Sequence, residues 1–185
     1  MSACLVAVVG SSGAGKDSLL AHARAMLQND PQVRFVRRCI TRPADAGGEE
    51  HEALSDAEFA RRRASGDFAL HWESHGLGYG IGREIDDWLA QGCMVVYNGS
   101  RAHLPVARLD YPQLRVVAVT ARPETLVQRL AQRCRESAAD IAERIRQQPT
   151  LPADLPMVEV GNDADLASAS AAFLQALHSH RNLNR

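Results

Sequence analysis

The chain has 185 residues, of which 45% are hydrophobic and 23% charged, with a formal net charge of −1. This is the make-up of one soluble domain with a full core. It excludes the global basic field that nucleic acid binding needs, and no run approaches the roughly 18 consecutive apolar residues of a membrane span.

In chain order, Leu5 to Val9 is a continuous apolar, largely β-branched run, as a strand buried in a parallel sheet requires. It leads into Gly10-Ser11-Ser12-Gly13-Ala14-Gly15-Lys16-Asp17-Ser18. This fits the phosphate loop Gly-x-x-x-x-Gly-Lys, with Asp17 where Ser or Thr is usual. Glycines let the backbone wrap a phosphate, and the N–H groups and the following helix N-terminus supply positive potential. Leu19, Leu20, Ala23, Met26 and Leu27 then recur at helical spacing. Val33 to Ile40 reads as a second strand and Thr41 to Gly48 as a loop. Ser55-Asp56-Ala57-Glu58 has the form of a capping box opening a helix through Arg63. Phe68 to Trp72 reads as a strand, His75 to Gly80 as a glycine-rich turn, and Arg83 to Gln91 as a helix stopped by Gly92. Cys93 to Tyr97 and Leu114 to Val119 are further buried strands. Helices are expected over Pro123 to Arg133 and Ser137 to Gln148, a short strand over Pro156 to Val160, and a closing helix over Leu166 to His178.

Strands alternating with helices predict an α/β fold, with helices around a parallel central sheet and small insertions on one side. Residues 1–185 are expected to form a single domain, with an insertion over about 34–82 and a lid over about 133–146. Cys4, Cys39, Cys93 and Cys134 are scattered without metal-type spacing. An apolar strand this early argues against a signal peptide, and a reducing cytoplasm is the expected compartment. A homodimer is compatible with this sequence.

With these segments in view, the chain resembles the guanylate-kinase-type branch of P-loop nucleoside monophosphate kinases. The resemblance rests on Gly10 to Ser18, Thr41-Arg42-Pro43, Leu54 to Phe59, Gly76-Leu77-Gly78-Tyr79-Gly80, Arg133 with Ile141 and Arg144, and Val160 to Asp163. Within the branch it is closer to the ribose 1,5-bisphosphate phosphokinases of phosphonate breakdown, through Thr41 to Glu49, His71-Trp72, Asn98-Gly99-Ser100-Arg101, Arg135 to Ile141 and the loop ending Gly-Lys-Asp-Ser. Such proteins phosphorylate ribose 1,5-bisphosphate with ATP, giving 5-phosphoribosyl 1-diphosphate (PRPP). The departures from guanylate kinase point the same way. Leu70 stands where that family reads guanine with a carboxylate, Ile81 where it uses a hydroxyl, and Asn98 and Ser100 where it carries acidic residues. An apolar residue leaves the base donors unpaired, at a cost of about 1–3 kcal/mol in a buried site.

The resemblance also implies roles. The loop (Gly10, Ser11, Ser12, Gly13, Ala14, Gly15, Lys16, Asp17, Ser18) would hold ATP. Asp17 would either ligate Mg²⁺ or favour the helix N-terminus by its charge, with Ser18 as a substitute metal ligand. Arg133, Arg135 and Arg144 would neutralise the transferring phosphoryl, or else form an exposed basic face, the role expected of Arg129. Arg42 and Tyr79 would bind the acceptor phosphate. The family's second arginine is missing, and Arg37, Arg38 or Arg101 would supply it. Arg101, beside Asn98 and Ser100, would reach the second phosphate. His51 would donate to an acceptor phosphate or lie on the surface. His71 and Trp72 would contact the sugar, although a tryptophan such as Trp72 is more often a core residue. Asn162 would read the adenine edge or cap the last helix. A phosphate acceptor is already anionic, so no general base is required. Two alternatives stand beside this reading: a nucleoside monophosphate kinase, and a noncatalytic interaction module, which would typically lack the phosphate loop.

Overall fold

Strand β1 (Cys4–Gly10) is buried along all but its last residue. The computed structural model describes residues 3–46, 48–133, 151, 155–163 and 165–182. Helix α1 (Lys16–Met26) follows the loop, and β2 (Val33–Phe35) returns to the sheet. Then come β3 (Cys39–Ile40), β4 (Glu52–Ala53), α2 (Asp56–Ala64), β5 (Phe68–Ser74) and β6 (Leu77–Gly82). The chain continues through α3 (Glu84–Ala90), β7 (Met94–Asn98), a 3₁₀ turn at Arg101–His103, α4 (Leu104–Asp110), β8 (Arg115–Thr120), α5 (Pro123–Arg133), β9 (Met157–Gly161) and α6 (Leu166–Asn182).

Five strands form a parallel sheet in the order β2-β7-β1-β8-β9. Side chains of β1 alternate between its two faces, and both are covered, which is why the run is apolar throughout. Leu5, Ala7 and Val9 face Ile85 of α3, Leu104 and Ala107 of α4, and Leu70, Trp72 and Ile81 of the inserted segment. Cys4, Val6 and Val8 face Leu19 and Ala23 of α1, Leu126 of α5 and Phe173 and Leu177 of α6. The result is an α/β layered fold around a parallel sheet. Among the described residues no helix is long and apolar enough to cross a membrane.

The inserted segment builds a second sheet, β4-β3-β6-β5. Here the structure departs from the expected elements. The apolar-basic run Val33 to Ile40 is not one strand. Val36 still donates to Val96 O, but the chain then leaves the first sheet, and Cys39–Ile40 pairs with Gly80 and Tyr79 in the second. The glycine-rich stretch is a hairpin rather than a turn alone. His75 and Gly76 take positive φ (52° and 73°) in a two-residue loop, and Leu77 to Gly82 is strand. Gly78 and Gly80 lie under the rings of Phe59 and Phe68, where a Cβ would sit 2.9 and 2.4 Å from a ring carbon. Helix α4 carries no clear periodic signal, because Val106 and Leu109 are exposed while Leu104 and Ala107 are buried. The expected helix over Ser137 to Gln148 lies outside the described residues.

Candidate active site

The carboxyl ends of β1 and β7 lie side by side, Val8 pairing with Asn98, and this edge of a parallel sheet is where α/β folds take ligands. A cavity of about 530 Å³ opens there, walled by the loop on one side and by Arg38, Arg42, Trp72 and Tyr79 on the other.

The loop is shaped from beneath. Gly15 takes φ 89°, and a Cβ on it would lie 2.2 Å from Asn162 Nδ2, so only glycine fits. Lys16 opens α1, and its Nζ donates to Gly10 O (2.8 Å) and Ser11 O (3.2 Å). Burial pushes its pKa down to about 8; Asp17 opposes the shift, and Arg38 and Arg101 add to it. Arg101 Nη2 donates to Ser11 Oγ (3.4 Å), so this guanidinium rests on the glycine-rich loop rather than apart from it. Burial also lowers its pKa.

Asn98, 5% exposed, joins the two sides. Its Nδ2 donates to Asp17 Oδ1 (2.9 Å) and to Glu49 Oε2 (2.8 Å), and its carbonyl accepts from Arg38 Nη1 (3.0 Å). Asp17 is therefore engaged with β7. Asp17 and Ser18 line the cavity beside Lys16 and offer hard oxygen donors. No cluster of three or more His, Cys, Asp or Glu side chains suits a metal among the described residues. A single carboxylate with a hydroxyl fits Mg²⁺, which keeps waters and relies on substrate phosphates, better than an ion needing a full protein cage.

On the wall facing the loop, Trp72 and Tyr79 are cross-strand partners with stacked rings 5.4 Å apart, and His103 also stacks on Trp72 at 5.2 Å. Arg38 lies over the Tyr79 ring at 4.9 Å. Arg42 lines the cavity, and its buried Nε has no hydrogen-bond partner among the described residues. Ser100 also lines the cavity.

Several expected positions change. His51 is neither a surface residue nor turned to the cavity. It is 4% exposed, with Nε2 at 3.1 Å from Arg42 O and Nδ1 near Glu49 O (3.0 Å) and Arg42 Nη2 (3.3 Å), so it braces Arg42 from behind. Asn162 Nδ2 donates to Ala14 O (2.7 Å) beneath the loop, so that donor supports the loop instead of reading a base edge. His71 is exposed while Trp72 is buried, because alternate strand residues face opposite ways. Arg37 points to Glu50 and His51 O, outside the cavity lining. Arg129 reaches Gly13 O (3.4 Å), so it belongs to the loop surroundings rather than to a bare basic face. Arg133 ends α5, nothing is described of its side chain, and Arg135 and Arg144 lie outside the described residues. Glu49 and His103 were not singled out by sequence reasoning. Glu49 carried a signal only as the one carboxylate closing the Thr41 to Glu49 segment.

No family model matches the chain. It is 48% identical over 171 residues to a protein from Thiobacillus denitrificans named ribose 1,5-bisphosphate phosphokinase PhnN, over 92% of this chain and 90% of that one. It is 52% identical over 178 residues to a protein of the same name from Laribacter hongkongensis, over 95% of this chain and 43% of that longer one. Among solved structures, guanylate kinase from Anaplasma phagocytophilum is similar with a TM-score of 0.68, over 98% of this chain and 87% of that one, at 15% identity. This last likeness speaks to the fold alone.

Proposed function

The chain belongs to the ribose 1,5-bisphosphate phosphokinase family, and we propose that it transfers the γ-phosphoryl group of ATP to α-D-ribose 1,5-bisphosphate, giving PRPP and ADP. The observation that carries the reading lies in the second sheet. Leu70 and Ile81, at the positions where the resembled kinases read a base, are paired in register and buried at 1% and 0% exposure in the apolar core. The cavity wall itself keeps Arg38 and Arg42 as cationic groups for phosphates. An acceptor with phosphates and no base suits that division.

In this mechanism the loop N–H groups and Lys16 hold the donor β- and γ-phosphates. Asp17 and Ser18 would hold Mg²⁺, which would supply neutralisation of the phosphate charge. Arg42 and Tyr79 hold the acceptor, braced by His51. An oxygen of the C1 phosphate attacks the γ-phosphorus, the bond from that phosphorus to the β-phosphate oxygen breaks, and ADP leaves. No proton need be removed first, because the attacking phosphate is already anionic. Arg101, on the loop hydroxyl of Ser11, stands on the donor side, where charge spreads over the transferring oxygens. Arg133, Arg135 and Arg144 would neutralise the transferring phosphoryl, and Asn98 and Ser100 would complete the sugar side. Cys4, Cys39 and Cys93 are free and buried, which suits a cytoplasmic enzyme of phosphonate breakdown.

The test is coupled ADP release with ATP and Mg²⁺, comparing ribose 1,5-bisphosphate with GMP, AMP and UMP. Preferred turnover of the sugar bisphosphate, with PRPP detected, is expected. Preferred turnover of a nucleotide would replace this reading with the nucleoside monophosphate kinase one, which now rests on fold alone.

A further inference from the structure

We propose that Arg38 is the second acceptor-phosphate arginine and that Glu49, which does not touch the acceptor, is the positioning residue that aims it. This rests on the phosphotransfer reading above and deepens its acceptor side.

Of the candidates for the second arginine, Arg37 turns away and Arg101 rests on the donor loop. Arg38 lines the cavity, over Tyr79 at 4.9 Å and Trp72 at 5.9 Å. Its guanidinium is held at three points: Nε and Nη2 both donate to Glu49 Oε1, the former at 2.7 Å, and Nη1 donates to Asn98 O at 3.0 Å. A guanidinium has about five N–H donors, so this grip leaves others for an anion in the cavity. The plane cannot swing without losing the carboxylate fork or the ring contact.

Glu49 stands behind the wall; it borders the adjoining cavity, of about 1260 Å³, and not the one that holds Lys16. Its side chain is 16% exposed and that of Arg38 11%, so solvent does little to screen the pair. The other oxygen, Oε2, takes Asn98 Nδ2 at 2.8 Å, and the backbone carbonyl meets His51 Nδ1 at 3.0 Å. His51 in turn holds Arg42. One residue thus sets the places of Arg38, Asn98 and, through His51, Arg42. An arginine clamped by a carboxylate on one edge is geometrically fixed and still cationic toward a phosphate on the other.

The experiment compares wild type with Glu49→Gln, Glu49→Asp and Arg38→Gln, each checked by thermal unfolding. KM for the sugar bisphosphate, KM for ATP and kcat are measured. In parallel, ribose 5-phosphate binding is followed by tryptophan fluorescence, which needs no turnover. Glu49→Gln keeps size and loses charge. It is expected to raise acceptor KM about tenfold or more while ATP KM stays within about twofold. Glu49→Asp should recover part of the loss, and Arg38→Gln should resemble Glu49→Gln. An unchanged acceptor KM, or equal rises in both KM values, overturns the proposal. Should wild type fail to turn over the sugar bisphosphate, the proposed reaction falls. The positioning role is then decided by ribose 5-phosphate binding, which Glu49→Gln must weaken if the role is correct and which overturns it if unaltered.

Discussion

Lys16 shows how one side chain can carry both identity and a pH signature. Its ammonium is held by two loop carbonyls, and burial draws its pKa from 10.5 to about 8. The unfolded chain therefore binds more protons than the folded one between these values, so stability rises with pH across that window. Donor phosphates beside the ammonium restore the charged form. At about pH 8.5, ATP binding should take up protons, read by calorimetry in two buffers of different ionisation enthalpy. Lys16→Ala should remove the uptake and lower kcat by about 10²–10³-fold, the scale of a lost charge-stabilising donor. Equal heats in both buffers for wild type would contradict the lowered pKa. At this scale the loop was fully legible, since glycine spacing and lysine are local chemistry. The roles of His51 and Asn162 were not, because which way a polar side chain turns depends on what is packed behind it.

At the scale of elements, β6 ties the acceptor wall to its support. Gly80 faces the ring of Phe68, itself packed on Phe59 with centroids 5.1 Å apart and only 6% exposed. The ring has little room to yield. Gly80→Ala should cost about 1–3 kcal/mol by overpacking, read as a lower urea midpoint with unchanged slope. Because Tyr79 is the adjoining residue, acceptor KM should rise with it, while ATP KM should not. Wild-type stability in this variant would show that the ring moves freely. The helices whose caps and periodicity are strong were legible: Ser55 does cap α2, its Oγ accepting from Glu58 N at 3.1 Å. The split of Val33 to Ile40 was not. Its residues favour strand throughout, and only the pairing partners, Val96 on one side and Gly80 with Tyr79 on the other, divide them between two sheets.

Across the whole molecule, α6 closes the sheet that carries the loop. His180, 1% exposed, brings Nε2 to 3.0 Å from Val116 O on β8, and its own carbonyl accepts from Arg115 Nη1 at 2.6 Å. Burial, and then the Arg115 charge, hold its pKa below the ordinary 6.5, against the opposing bond to Val116. The unfolded chain thus binds more protons below about pH 6.5, and stability must fall as pH drops through that range. Urea unfolding between about pH 7.5 and 5.5 should show this fall, and His180→Gln, though less stable at the start, should show a smaller one. Equal slopes would clear His180 of the effect. By itself, the sequence determined the buried strands, the phosphate loop and the parallel α/β class, because each depends on local spacing or on a single residue's chemistry. Only the tertiary structure decided that Glu49 clamps Arg38, that Asn98 bridges Asp17 to Glu49, and that Arg101 rests on the glycine-rich loop. Those contacts join residues 11, 81 and 90 positions apart, and the hydrogen bonds of buried polar groups go to whichever partner the fold brings within reach.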